Sequence, residues 1–147
     1  MDNSASSSMY LISFDQIYDT NIKPKLEAID IFLKSTVAPY DIDQVALLFK
    51  TSRSKILDVM KKLGLTSLDR LSFFELICHL PIDICLFIKR QCRYVDQVQY
   101  TPEMIAYIYM LNVNKVKKAF EELEIKFVYE HELVEVFKKI HISIFYL

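Results

Sequence analysis

Two stretches of sequence, sixty residues apart, decide the fold of this chain. Residues 45–56 read VALLFKTSRSKI, and residues 105–116 read IAYIYMLNVNKV. In both stretches apolar residues recur at spacings of three and four, which indicates amphipathic helix, and a capping residue (Ser52 or Asn112) stands where a second helix would begin. Each stretch therefore predicts two short helices joined by a tight turn.

The similarity extends outward from these stretches without a gap. Residues 40–80 align with residues 100–140 at a constant offset, and we call them repeat one and repeat two. The identical pairs are Tyr40/Tyr100, Ala46/Ala106, Lys55/Lys115, Leu63/Leu123 and Glu75/Glu135, and many other apolar positions exchange one apolar residue for another. We interpret the match as an internal repeat. The alternative is that two amphipathic helix pairs align through shared periodicity alone.

Each repeat predicts three helices in the same order, with a short extended piece before the last. Asp41 and Thr101 are the expected caps of the first helices. The expected helices span 42–49, 53–63 and 72–80 in repeat one, and 102–109, 113–123 and 130–140 in repeat two. The expected organisation is a disordered tail at 1–8, a helical segment at 9–39, repeat one, a connecting helix and linker at 81–99, and repeat two with a C-terminal tail at 100–147.

The segment 9–39 carries an apolar stripe of its own. Ser13 is its expected helix cap, with Gln16 reaching back, and Pro24 predicts a kink or two abutting helices. The stripe consists of Phe14, Ile17, Tyr18, Ile22, Leu26, Ile29, Phe32 and Leu33. It predicts either the contact surface of a homodimer or a cover over the two repeats of the same chain around one shared core.

Composition narrows the fold and function classes. The chain has 147 residues, 52% of them hydrophobic, and a single glycine, Gly64. Glycine-rich phosphate loops and dinucleotide fingerprints need several glycines, and sheet folds use glycine freely in turns, so a mainly α fold is expected. Three cysteines and a polar N-terminus without an export signal predict a cytoplasmic protein with reduced thiols, and no apolar stretch is long enough to span a membrane.

Each repeat resembles the helix-turn-helix unit of DNA-binding regulators. Ala46 and Ala106 match the small residue that lets the two helices cross closely, while Ser52 and Asn112 match the cap of the second helix. The extended piece IKFVY at 125–129, followed by a helix that begins with acidic residues, is similar to the excisionase and MerR-like winged variety. One departure is the turn position, usually glycine in that family, which here is Lys50 or Met110.

The resemblance implies a DNA-reading helix, and the charges favour repeat one. Residues 50–65 carry a net charge of +4, whereas the second helix of repeat two is neutral over 113–124. The predicted DNA contacts are Lys50, Ser52, Arg53, Ser54, Lys55, Lys61 and Lys62, with Asn112, Asn114, Lys115, Lys117 and Lys118 as a possible second reader. The alternative is that each basic face is merely solvated and its helix serves only for packing.

The sequence contains no pattern that predicts a metal site, a cofactor site or a catalytic site. Cys78, Cys85 and Cys92 recur every seven residues, a helical separation of about 10 Å that one zinc ion cannot bridge, so buried or partly buried thiols are expected. His131 and Glu135 have a ligand-compatible spacing but no third ligand near them in sequence. Without a nucleophile motif, paired acids or a cofactor motif, we expect no enzyme, no metal and no cofactor.

The sequence therefore predicts a small DNA-binding regulator or architectural protein whose partner is double-stranded DNA. The basic helix and the duplicated architecture favour this interpretation. The overall net charge of −1, the neutral second copy and the missing turn glycines favour the alternative, an adaptor whose degenerate helix-turn-helix repeats bind a protein partner.

Overall fold

A computed structural model describes residues 11–143, which form a mainly α fold with two small two-stranded sheets. The fold class predicted from the sequence is confirmed. The predicted tail at 1–8 and the last four residues of the C-terminal tail lie outside the described residues. In chain order the elements are β1 (Leu11–Ser13), α1 (Phe14–Ile17), a π-helical turn (Tyr18–Ile22), α2 (Lys23–Ser35), α3 (Ile42–Leu48), α4 (Arg53–Leu63), α5 (Arg70–His79), α6 (Asp83–Cys92), β2 (Gln99–Tyr100), α7 (Pro102–Tyr109), α8 (Val113–Leu123), β3 (Val128–Tyr129), a 3-10 turn (Glu130–Glu132), α9 (Leu133–Lys138) and β4 (His141–Ser143).

The chain folds as two compact units. One unit comprises Lys23–Arg93 and contains repeat one, and the other comprises residues 11–22 and 94–143 and contains repeat two. The segment 9–39 therefore contributes to both units. The helical segment is interrupted by the π-helical turn, which ends at Ile22. Pro24 follows in the first turn of α2, and because it lacks an N–H the helical hydrogen-bond ladder is incomplete there.

The unit of repeat one is built on capped helices. The Asp41 carboxylate accepts the Gln44 N–H at 3.1 Å and caps α3, and Ser52 accepts the Lys55 N–H at 3.2 Å and caps α4. The third helix begins at Arg70 rather than near residue 72. The true cap is Asp69, which accepts the Ser72 N–H at 2.8 Å, while Ser72 completes a capping box from the first turn of the helix.

Aromatic side chains fill the core of this unit. Phe73 is fully buried, with ring centroids 5.6 Å from Phe32 and Tyr40 and 5.8 Å from Phe49. Phe32 comes from α2 and Ile29 on the same helix is 7% exposed, so these stripe residues are used within the unit. Part of the predicted stripe is thus intramolecular core.

The unit of repeat two has the same plan with two added strand pairs. Phe137 of α9 lies 4.9 Å from Phe14 and 4.8 Å from Tyr109 between ring centroids, so α1 packs into this core. Strand β4 pairs with β1 in antiparallel register, Ile142 opposite Ile12, which docks the described part of the C-terminal tail. Ser13 ends β1 and its hydroxyl donates to Asp15 rather than accepting a helix N–H, so the predicted Ser13–Gln16 cap is wrong.

The two repeats share their first two helices and their left-handed turn positions at the sixty-residue offset. The first two helices of each begin and end within one residue of prediction, whereas the final helix of repeat two consists of a 3-10 turn and α9, ending at Lys138. Left-handed backbone occurs at Lys50 and Met110 (φ 54° and 55°) and again at Gly64 and Glu124 (φ 71° and 56°). The extended piece predicted at 125–129 is shorter, with only Val128–Tyr129 in a strand.

Candidate nucleic-acid interface

Helix α4 has one buried and one exposed side. Ile56, Val59 and Met60 are buried and pack the helix into its unit. Because successive residues advance by about 100° around a helix, Ser54, Asp58 and Lys61 lie nearest the centre of the opposite side, and each of them is exposed. This side is available to a partner.

Four of the predicted contact residues lie at the start of α4. Ser52 uses its hydroxyl oxygen to cap the helix, while Ser54 and Lys55 are exposed in its first turn. Arg53 Nη1 lies 2.9 Å from Asp43 Oδ1 on α3, with side chains 54% and 68% exposed. An ion pair this exposed contributes at most about 1 kcal/mol, so a phosphate can compete with Asp43 for the guanidinium.

The remaining predicted cations flank this surface. Lys61 and Lys62 are exposed in the last turn of α4, where their charge also favours the helix dipole. Lys50 is exposed in the turn, where its backbone adopts the left-handed conformation. A packing role and a binding role are both compatible with these positions.

Two further residues on the exposed side of α4 are not among the predicted contacts, although Asp58 is included in the predicted charge of +4. Leu57 is 40% exposed, and Asp58 is also exposed in the same turn. The helical spacing from Ser54 is the signal that places them there. Leu57 offers an apolar contact, whereas Asp58 places a negative charge on an otherwise basic surface.

In repeat two, several of the residues predicted to contact DNA from α8 instead make contacts within their own unit. Asn112 caps the helix by accepting the N–H groups of Asn114 and Lys115 at 2.9 and 3.3 Å. Lys115 Nζ donates to the His141 carbonyl oxygen at 2.8 Å, and Lys117 Nζ lies 3.5 Å from Glu103 Oε2. Repeat one has contacts of the same kind, the Ser52 cap and the Arg53–Asp43 pair.

A cleft of about 420 Å³ lies beside α8 in the unit of repeat two. The end of α9 and the residues after it form the other wall. Its lining residues are Lys115, Lys118, Glu122, Lys138, Lys139, Ile140 and His141. The tertiary structure thus brings two further lysines next to a helix that is neutral by its own sequence.

The thiols and histidines form no metal-binding cluster in the described part of the chain. Cys85 is buried, and this burial raises its pKa to about 12, while Cys78 is half-buried. Cys92 is exposed, which corrects the expectation that all three thiols are at least partly buried. Within residues 11–143 no group of three His, Cys, Asp or Glu side chains is placed to hold a metal ion.

No single helix among residues 11–143 has the length and apolar character of a membrane span, although α5 and α6, bent by 106°, satisfy those criteria as a pair. Both helices contribute buried residues to the unit of repeat one, including Phe73, Leu76 and Cys85. Comparison of the chain with family models, curated proteins and solved structures gave no match.

Proposed function

We propose that this protein is a small cytoplasmic DNA-binding regulator or architectural protein in which repeat one contacts double-stranded DNA. The observation that carries the proposal is the exposed side of α4. Four cations, Arg53, Lys55, Lys61 and Lys62, lie on this capped helix, while Asp58 on the same helix and Asp43, which pairs with Arg53, oppose them. A helix of this kind fits the major groove of duplex DNA.

The proposed roles follow from position along the helix. Arg53, Ser54 and Lys55 at its start would meet base edges, with Arg53 exchanging Asp43 for a guanine or a phosphate. Lys61, Lys62 and Lys50 would contact backbone phosphates, which contribute affinity but no sequence information. Ser52 serves as the helix cap and so positions its neighbours.

We also propose a homodimer, because a single short reader helix is a weak DNA binder. The proposed contact is an apolar groove between α2 and α3, in which Ile31 is 63% exposed and Leu47 is 79% exposed. On α2, Glu27 and Lys34 are exposed on either side of Ile31, seven residues apart. If two copies of α2 cross antiparallel at Ile31, Glu27 of each copy faces Lys34 of the other, so the occupant we favour is a second copy of the chain.

The alternative is an adaptor in which the same groove receives a different protein partner. The exposed apolar side chains Ile31 and Leu47 favour it, since exposed apolar patches mark interaction surfaces. DNA binding and sedimentation distinguish the two proposals. An adaptor would have no affinity for duplex DNA. Without its partner it would sediment as a monomer, because nothing would occupy the groove.

Duplex binding is tested by reversing charge on α4. Fluorescence anisotropy with a labelled duplex of random sequence at low salt should show binding by the native protein that weakens steeply as salt is added. The double change Arg53→Glu, Lys55→Glu should abolish binding. The matched control Lys23→Glu, Lys25→Glu on α2 changes the net charge by the same amount and should retain most of the duplex binding. Absence of duplex binding by the native protein, or equal losses in both variants, would contradict the proposal.

A further inference from the structure

The cleft beside α8 concentrates positive charge from two separate parts of repeat two. Lys115 and Lys118 come from the helix, while Lys138 and Lys139 come from the end of α9 and the residue after it. Four lysines against one carboxylate, Glu122, give the lining a formal charge of +3 from these side chains. The whole chain, by contrast, has a net charge of −1.

The internal contacts leave most of this charge facing the cleft. Lys115 is held in place because its Nζ donates to the His141 carbonyl oxygen at 2.8 Å, yet an ammonium group has three N–H donors. Lys138 Nζ lies 3.5 Å from Glu135 Oε2, an exposed and therefore weak pair. Lys118 and Lys139 are exposed and line the cleft from opposite walls.

Comparison with repeat one indicates that the fold does not require this charge. The positions sixty residues earlier than Lys118, Lys138 and Lys139 are Asp58, Cys78 and His79. Repeat one forms the same three-helix arrangement with those residues, and the buried positions around them correspond, as Leu76 does to Val136. The three-helix arrangement therefore does not by itself require lysine at positions 118, 138 and 139.

We infer that this cleft binds a phosphate group through Lys118 and Lys139, with Lys115 and Lys138 adding to the positive potential. A phosphate oxygen accepts charge-assisted hydrogen bonds from several ammonium groups at once, and Lys is well suited to bind it as a point charge. If the proposed DNA binding holds, on which this step rests, the ligand is a backbone phosphate of the duplex. Repeat two would then contribute affinity without reading bases.

Salt titration of duplex binding tests the DNA part of the inference. Each phosphate contact contributes about 0.9 to the slope of log affinity against log salt. Lys118→Ala and Lys139→Ala should each weaken binding, and the double variant should lower the slope by about 0.9 because both lysines contact one phosphate. The matched control is Lys126→Ala, an exposed lysine of the same unit outside the cleft lining, which should leave the slope unchanged.

Pyrophosphate tests the cleft independently of DNA. In a labelled sample the amide resonances of Ile140 and His141 should shift on titration with pyrophosphate, and these shifts should be lost in the Lys118→Ala, Lys139→Ala double variant but kept in Lys126→Ala. If duplex binds with an unaltered slope in the double variant, the cleft does not contact a DNA phosphate, and that part of the inference is overturned while the proposal for repeat one is not. If duplex does not bind but the cleft shifts persist, the DNA proposal fails and the phosphate site stands. If pyrophosphate shifts no amide resonance of the cleft, or shifts amides beside lysines outside the cleft equally, the phosphate site is overturned.

Discussion

Arg53 Nη1 lies 2.9 Å from Asp43 Oδ1, so an ion pair joins the first residue of α4 to the first turn of α3. Both side chains are more than half exposed, and water screens such pairs strongly. Asp43 thus restrains Arg53 without holding it tightly. A phosphate that approaches the start of α4 competes directly with this carboxylate.

Replacing Asp43 should therefore strengthen DNA binding. Asp43→Asn removes the competing charge, and we expect duplex affinity to rise by up to about fivefold, equivalent to about 1 kcal/mol, with a change of less than about 1 kcal/mol in the free energy of unfolding. Anisotropy and urea denaturation measure the two effects. Asp30→Asn on α2, which removes the carboxylate 2.8 Å from Lys34, is the control and should leave affinity nearly unchanged. Equal gains from both substitutions would contradict a specific role for Arg53.

The turns of both repeats should be stabilised by glycine. Lys50 and Met110 adopt left-handed backbone, which costs non-glycine residues about 1 kcal/mol, and both side chains are exposed. We expect Lys50→Gly and Met110→Gly each to raise the free energy of unfolding by up to about 1 kcal/mol, measured by urea denaturation.

The reverse substitution provides the control for this prediction. Gly64 has φ 71°, and a Cβ added there would meet no atom within 4 Å, so any cost of Gly64→Ala arises from backbone conformation alone. A loss of about 1 kcal/mol is expected. A stable Gly64→Ala variant together with destabilised glycine variants at 50 and 110 would show that the side chains, not the backbone, govern these turns.

The homodimer should depend on the groove between α2 and α3. Sedimentation at tens of micromolar should show a dimer for the native protein and a folded monomer for Ile31→Asp, Leu47→Asp, because both side chains are exposed and their replacement leaves the core intact. Val37→Asp, Leu71→Asp, at two exposed positions outside the groove lining, is the matched control and should remain dimeric. A native monomer at this concentration would contradict the dimer and leave the groove to the adaptor alternative.

The buried Cys85 thiol should make the protein less stable in alkali. Burial raises its pKa from 9.0 to about 12, so above pH 9 the unfolded chain releases a proton that the folded chain retains. Unfolding is thereby favoured, and stability should fall by about 1.4 kcal/mol for each pH unit between 9 and 12. Urea denaturation at pH 8 and pH 10 should show this loss, and Cys85→Ala should lose less over the same interval. If the free energy of unfolding of Cys85→Ala falls with pH as steeply as that of the native protein, Cys85 is not the cause of the loss.

A thiol reagent should modify exposed Cys92 quickly and Cys85 only after unfolding.

Neighbouring residues were sufficient to predict most helices and their ends. The bounds Arg53–Leu63 and Val113–Leu123 follow from apolar spacing and from caps that bond to residues two or three positions away. Such interactions are local, so they are encoded within a single turn of sequence. The constant offset between the repeats correctly predicted that the first two helices of repeat two would have the same bounds, sixty residues on, as those of repeat one to within one residue.

Contacts between distant residues required the tertiary structure. The sequence of α8 alone is nearly neutral, and only the packing of the chain end after α9 brings Lys139 and His141 to one cleft with Lys118. In the same way, folding assigned Phe14 to the unit of repeat two and Ile29 to that of repeat one, although a single periodic stripe joins them in sequence. Periodicity determines which side of a helix is buried, but it does not specify which partner covers that side, because many apolar surfaces satisfy the same pattern.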